Sequence, residues 1–157
     1  MTYKNKKYEL TDETIEVNGS ILHRIRSLRD FGDVRPGDLG GFIEYRSNLS
    51  HADTAWVYDN ARVSGDGWVH TKARVSENAW ISEAAQIGGY SKVSGNARVS
   101  GKVLIYGDVW ISGDAWICND AMVFGNCKID QGIWNDVMRM NEKWYIVSTT
   151  LKKMLLG

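Results

Sequence analysis

The chain has 157 residues, enough for one domain with appendages, and its 19 basic residues are balanced by 19 acidic ones. Zero net charge argues against whole-surface attraction to long nucleic acid or to an anionic membrane. No apolar run approaches the ~18 residues of a membrane span.

Two cysteines are too few for a disulfide framework and lack metal-ligand spacing. Sixteen glycines against one proline point to many tight turns rather than to disorder. The start, MTYKNKKYEL, has no apolar segment of the secretory kind, so a soluble cytoplasmic protein is expected.

Residues 1–44 read as an N-terminal hairpin cap and entry loop. Asn18-Gly19 stands between two alternating runs, TIEV and SILHRIRSL, which is a strong hairpin signal. The stretch FGDVRPGDLGGFIE is turn-rich and leads into the next region.

Residues 45–134 repeat on a six-residue period. From Val57 every sixth residue is Val or Ile: Val57, Val63, Val69, Val75, Ile81, Ile87, Val93, Val99, Ile105, Ile111, Ile117, Val123 and Ile129. Four residues after each stands a mostly small residue, such as Ala61, Ala73, Ala79 or Ala97. Between them come Gly and Asn or Asp, which tolerate a left-handed corner. The same frame read backwards reaches Tyr45 and His51, with Leu49 and Ala55 at the small position. Neither a helix nor a plain strand has this period, but a short strand plus a corner does. Three units per turn make a triangular parallel solenoid, in which each residue lies beneath the one eighteen further on.

This unit resembles the hexapeptide repeat of left-handed β-helices. The resemblance implies an all-β, single-chain, parallel left-handed β-helix, and proteins of that type are often trimers. The layout YELTDETIEVNG, HRIRSLRDFGDVRPGDLGGFIE and then the repeats also resembles small phage and prophage hexapeptide-repeat proteins of the polymer-forming type. That second resemblance implies a phage protein working in the cytoplasm of a bacterial host.

Residues 135–157 form a C-terminal appendage, with a strand in KWYIVS and a short amphipathic helix in TTLKKMLL.

Function must be read from the outward columns. The first face carries Trp56, Arg74, Lys92, Trp110 and Lys128. The second carries Arg62, Trp80, Arg98, Trp116 and Trp134, a ladder in which guanidinium can stack on indole. That ladder either stabilises the coil or binds a small anionic or nucleotide ligand. The third face presents Trp68, His70, Leu104, Tyr106, Met122 and Phe124. An apolar surface of this breadth is rarely left open on a monomer. It is read as a homo-oligomer interface, a trimer being favoured, or else as a surface covered by the chain's own ends.

Catalytic chemistry is sparse. The histidines are His23, His51 and His70, and no loop is thrown out between coils to enclose a substrate. Cys118 lies outward and Cys127 inward, so they should not pair. No catalytic residue, metal site or cofactor is assigned. The reading is a non-catalytic phage-type β-solenoid that acts as a binding scaffold and self-associates. Its partners would be itself, a small anionic ligand or a host protein. The alternatives are an anti-defence sponge for a nucleotide immune signal and a hexapeptide-repeat acyltransferase.

Overall fold

The computed structural model describes residues 6–140 and 143–146. Strands β1 (Tyr8–Val17) and β2 (Ser20–Ser27) form the expected antiparallel hairpin. Its turn uses Asn18 and Gly19, both at positive φ. Strand β2 pairs antiparallel with β3 (Leu39–Ile43), and β3 pairs parallel with β5 (Arg62–Val63). The hairpin thus hydrogen-bonds onto the lower edge of one face of the solenoid. That edge would otherwise present unpaired backbone groups.

Three parallel sheets make the coil. The first runs β4 (Trp56–Val57), β7 (Arg74–Val75), β10 (Lys92–Val93), β13 (Asp108–Ile111) and β16 (Asn126–Ile129). The second continues from β5 through β8 (Trp80–Ile81), β11 (Arg98–Val99), β14 (Trp116–Cys118) and β17 (Ile133–Asn135). The third runs β6 (Trp68–Val69), β9 (Gln86–Ile87), β12 (Leu104–Ile105), β15 (Met122–Phe124), β18 (Val137–Met140) and β19 (Lys143–Ile146). Strands β18 and β19 pair antiparallel, so the expected C-terminal strand closes the upper end of the third sheet. The helix expected in TTLKKMLL lies outside the described residues.

The inward Val and Ile side chains from Val57 to Ile117 are fully buried, as are Ala61, Ala73, Ala79 and Ala85 between them. β-Branched residues fill the centre and small ones fit near the corners. Corner residues take the left-handed conformation, including Asp59, Thr71, Glu77 and Glu83 where glycine is absent.

Two ends of the ruler differ from the sequence reading. The coil begins at β3, earlier than residue 45. Ile43 pairs with Val63 and Leu49 with Val69, so both occupy the Val/Ile position and the first coil is two residues longer than the rest. Tyr45 is exposed and His51 lies outside the core column. Buried Asn48 fixes this corner: its side chain accepts from the Tyr45 N–H and donates to the Gly65 and Gly67 carbonyls. A buried amide with its partners in place stabilises an irregular turn.

At the upper end the last corner is one residue short. Trp116 pairs with Ile133, and Trp134 pairs with inward-facing Ile117. Trp134 therefore leaves the outward column and packs against the core. Among the described residues no strand of the second sheet lies above β17. A large ring there covers core that no further coil would shield.

Candidate functional site

The third face brings together the residues expected there. Trp68 and His70 stack at 3.9 Å between ring centroids, His70 meets Tyr106 edge-on at 5.8 Å, and Tyr106 stacks on Phe124 at 6.1 Å. Gly88, between His70 and Tyr106 in this column, makes the contact possible. A Cβ there would stand 2.5 Å from His70 Cε1 and 3.0 Å from Tyr106 Cε1. Leu104 and Met122 flank the rings, half-buried and paired rung on rung. His70 Nδ1 lies 3.0 Å from the Thr71 hydroxyl. Its Nε2 is shut away from solvent with no hydrogen-bond partner among the described residues. Burial holds the imidazole below its ordinary pKa, so it is neutral at physiological pH.

The second face keeps Arg62, Trp80, Arg98 and Trp116 on successive rungs. Its indoles are anchored sideways: Trp80 Nε1 donates to Ser64 Oγ and Trp116 Nε1 to Ser100 Oγ, both at 3.0 Å. Among the described residues the cations found over aromatic rings are Lys7, Arg24, Lys72, Arg74, Lys92 and Lys128, with neither Arg62 nor Arg98 among them. Trp134, expected to top this ladder, is instead turned to the core, and exposed Ile133 takes its rung.

The first face holds what sequence reasoning passed over. Its lowest rung, Trp56, is buried under the N-terminal segment, between the edges of Tyr8 and Phe31. Tyr8 also stacks on His51 at 4.2 Å, and its hydroxyl donates within 2.7 Å of the Arg46 and Leu49 carbonyls. Burial pushes this phenol far above its usual pKa. The Lys7 ammonium is buried too, donating to the Ala55 carbonyl at 2.6 Å, and burial beside Arg29 lowers its pKa to about 8.

Above that plug runs an open groove made of two adjoining cavities of about 380 and 460 Å³. Both are lined by Asp33, Tyr58, Arg74, Lys92 and Trp110. The entry loop contributes Asp33, which accepts from the Tyr58 hydroxyl at 2.7 Å and pairs with Arg74 at 2.5 Å. These contacts hold the Asp33 carboxyl below its ordinary pKa, the Tyr58 hydrogen bond contributing most. Tyr58 is pushed up to about 12, chiefly by burial. Higher up, the Lys92 ammonium sits 4.3 Å and the Lys128 ammonium 5.0 Å from the Trp110 ring centroid. At the rim Lys72 lies 5.1 Å from the ring of exposed Tyr90.

The eighteen-residue spacing does stack Lys72 with Tyr90 in the sequence, and Lys92 with Trp110. Asp33 carries no such signal, because it lies outside the repeat. His70, on which an acyltransferase reading would rest, lines neither cavity. Among the described residues no cluster of three or more His, Cys, Asp or Glu side chains could hold a metal ion. None of their helices is long and apolar enough to cross a membrane.

A family model described as the YdcK beta solenoid repeat matches residues 55–71 and 92–107. Each segment supplies one rung to each of the three sheets: β4, β5 and β6 in the first, β10, β11 and β12 in the second. No curated protein matches the chain.

Proposed function

We propose that this β-solenoid repeat protein works without catalysis, as a rigid binding scaffold that associates with further copies of itself through its third face. The observation that supports this is the column of Trp68, His70, Tyr106 and Phe124. It is continuous over several rungs, and Trp68 remains 40% exposed. Flat aromatic columns of this kind gain most by facing another such surface. A trimer is the favoured form, with three copies of the face directed to a common axis. A phage origin fits the layout of the chain and adds nothing to the argument from geometry.

Sedimentation velocity on the purified chain tests this reading. The expected result is an oligomer that a Trp68→Glu, Phe124→Glu double variant converts to a monomer with an unchanged far-UV spectrum. A wild-type chain that sediments as a monomer at every concentration would overturn it.

Capture of a small anionic ligand on the second face stands as a second reading. It is supported by Arg98, which is exposed and has no ion-pair or hydrogen-bond partner among the described residues. Replacing Arg62 and Arg98 by Ala should then release whatever small molecule co-purifies with the protein. Retention of that molecule would remove the second face from consideration.

A further inference from the structure

We infer that the first-face groove is a binding site for a small organic phosphate carrying a flat ring, with the phosphate held between Lys72 and Lys92. This goes beyond the scaffold reading, and it concerns a different face of the solenoid.

The argument begins with charge placement. Arg74 and Lys92 occupy directly paired positions on neighbouring strands. Like charges in that arrangement repel unless an anion lies between or beside them. Arg74 has its anion in Asp33. Lys92, a half-buried residue, has none: its ammonium rests over Trp110 and makes no hydrogen bond or ion pair among the described residues. An indole face steadies an ammonium but accepts none of its protons in a conventional hydrogen bond. Lys72, on the adjoining corner, meets Tyr90 alone among the described side chains, by a 3.4 Å contact to its hydroxyl and at 5.1 Å from its ring centroid.

Among the described residues no nearby carboxylate forms an ion pair with either lysine. In the larger cavity they are Asp33 and Asp108. Asp33 is committed to Arg74 and Tyr58, and Asp108 accepts from Trp110 Nε1 at 3.1 Å. Asp59 and Glu77 line only the smaller cavity, and each is engaged by a backbone N–H along the corner. The larger cavity therefore has two ammonium groups with donor capacity to spare, which suits a dianionic phosphate.

The walls specify the rest. A cavity of about 460 Å³ is far larger than a free phosphate needs, and Tyr58, Tyr90 and Trp110 line it. Aromatic walls beside paired cations suit a planar ring that bears an anionic group. Lys92 and Lys128 occupy the Trp110 ring, so the ligand ring is expected against exposed Tyr90 and the indole edge.

Isothermal titration calorimetry of the full chain separates the parts of this proposal. The probes are adenosine 5′-monophosphate, which has ring and phosphate, inorganic phosphate, and adenosine. The nucleotide should bind with an affinity that falls as salt is raised. The other two should bind at least about tenfold more weakly. Lys92→Gln and Lys72→Gln should each weaken the nucleotide by about tenfold or more with unchanged thermal unfolding. Lys102→Gln, at an exposed position that lines neither cavity, should leave its binding unaltered. Absence of nucleotide binding, equal binding by inorganic phosphate, or indifference to both lysine variants would each overturn the proposal. Loss of binding in Arg98→Ala alone would move the site to the second face and overturn it as well.

Because the groove and the aromatic column lie on separate faces, this test is independent of the self-association test.

Discussion

Arg74 and Asp33 are joined by a contact of 2.5 Å that ties a loop outside the repeat to the second rung of the first face. Tyr58 completes the cluster, donating to Asp33 and accepting from Arg74 Nη2 at 2.6 Å. The cluster fixes one wall of the groove. Asp33 and Arg74 are both well exposed, so the pair contributes little to global stability, below about 1 kcal/mol. Asp33→Asn should therefore leave the unfolding midpoint nearly unchanged. Hydrogen exchange at Gly32 to Val34 should nevertheless speed up. The sign with pH follows from the depressed Asp33 pKa: its contribution is present above the unfolded value of 3.8 and is lost as pH falls through the folded value. Loop protection, taken relative to the intrinsic exchange rate at each pH, should fall in the wild type over that acid range and stay flat in Asp33→Asn.

Lys7 predicts a slope of the same sign at alkaline pH, for a different reason. Its folded pKa of about 8 lies below the unfolded value of 10.5. Below pH 8 the ammonium is charged in both states and its burial cost is fully present. As pH rises from 8 toward 10.5, the folded chain sheds the proton first and stability increases. Tyr8 and Tyr58, whose folded pKa values are raised, reverse the trend once the unfolded phenols ionise near 10. Urea unfolding from pH 7 to 10 should show rising stability in the wild type and a flat profile in Lys7→Met. Parallel profiles for the two proteins would contradict this account.

The corners predict a pair of opposed glycine effects. Gly107 has φ 90, and a Cβ there would stand 2.6 Å from the Gly125 carbonyl oxygen. Gly107→Ala combines left-handed strain with a backbone collision and should cost more than about 2 kcal/mol. Glu83 adopts φ 56 without being glycine. Glu83→Gly relieves that strain at some cost in unfolded-chain entropy, for a net gain of about 0.5 kcal/mol. Chemical denaturation of both variants reads the two signs directly.

His70 separates stability from assembly. His70→Phe removes a buried nitrogen that has no partner among the described residues, so the monomer should be as stable as wild type or about 1 kcal/mol more stable. The nitrogen lies beneath the face, out of reach of a second copy, and phenylalanine keeps the aromatic column, so the same variant should associate as the wild type does. Thermal unfolding and sedimentation, measured on one preparation, should therefore show an unfolding midpoint unchanged or raised and an unchanged oligomer.

Much of this architecture is legible in the chain itself. Each Val or Ile at the six-residue step is buried at the predicted position, because a corner every few residues is a local property that the unit states for itself. Asn18-Gly19 predicts its hairpin for the same reason. The aromatic column of the third face follows from the eighteen-residue stacking once the unit is known, although Gly88 reads only as a gap until the rings close over it.

Other features depend on residues far apart and have no periodic trace. Trp134 looks like one more outward tryptophan, but it faces inward because the corner at Asp130 to Gly132 is one residue short and the core above Ile117 needs covering. Leu49 looks like a small-position residue and is a central one, because Asn48 reshapes the first corner. Trp56 has the pattern of an exposed rung and is buried by Tyr8 and Phe31 from outside the repeat. The groove likewise exists only where the Asp33 loop meets the coil. The repeat by itself determined a three-sided β-solenoid and the order of side chains on each face, since hydrophobic period and corner residues act locally. Only the tertiary structure decided where the coil starts and stops and which face forms a cavity, since those depend on how non-repeating segments pack against repeating ones.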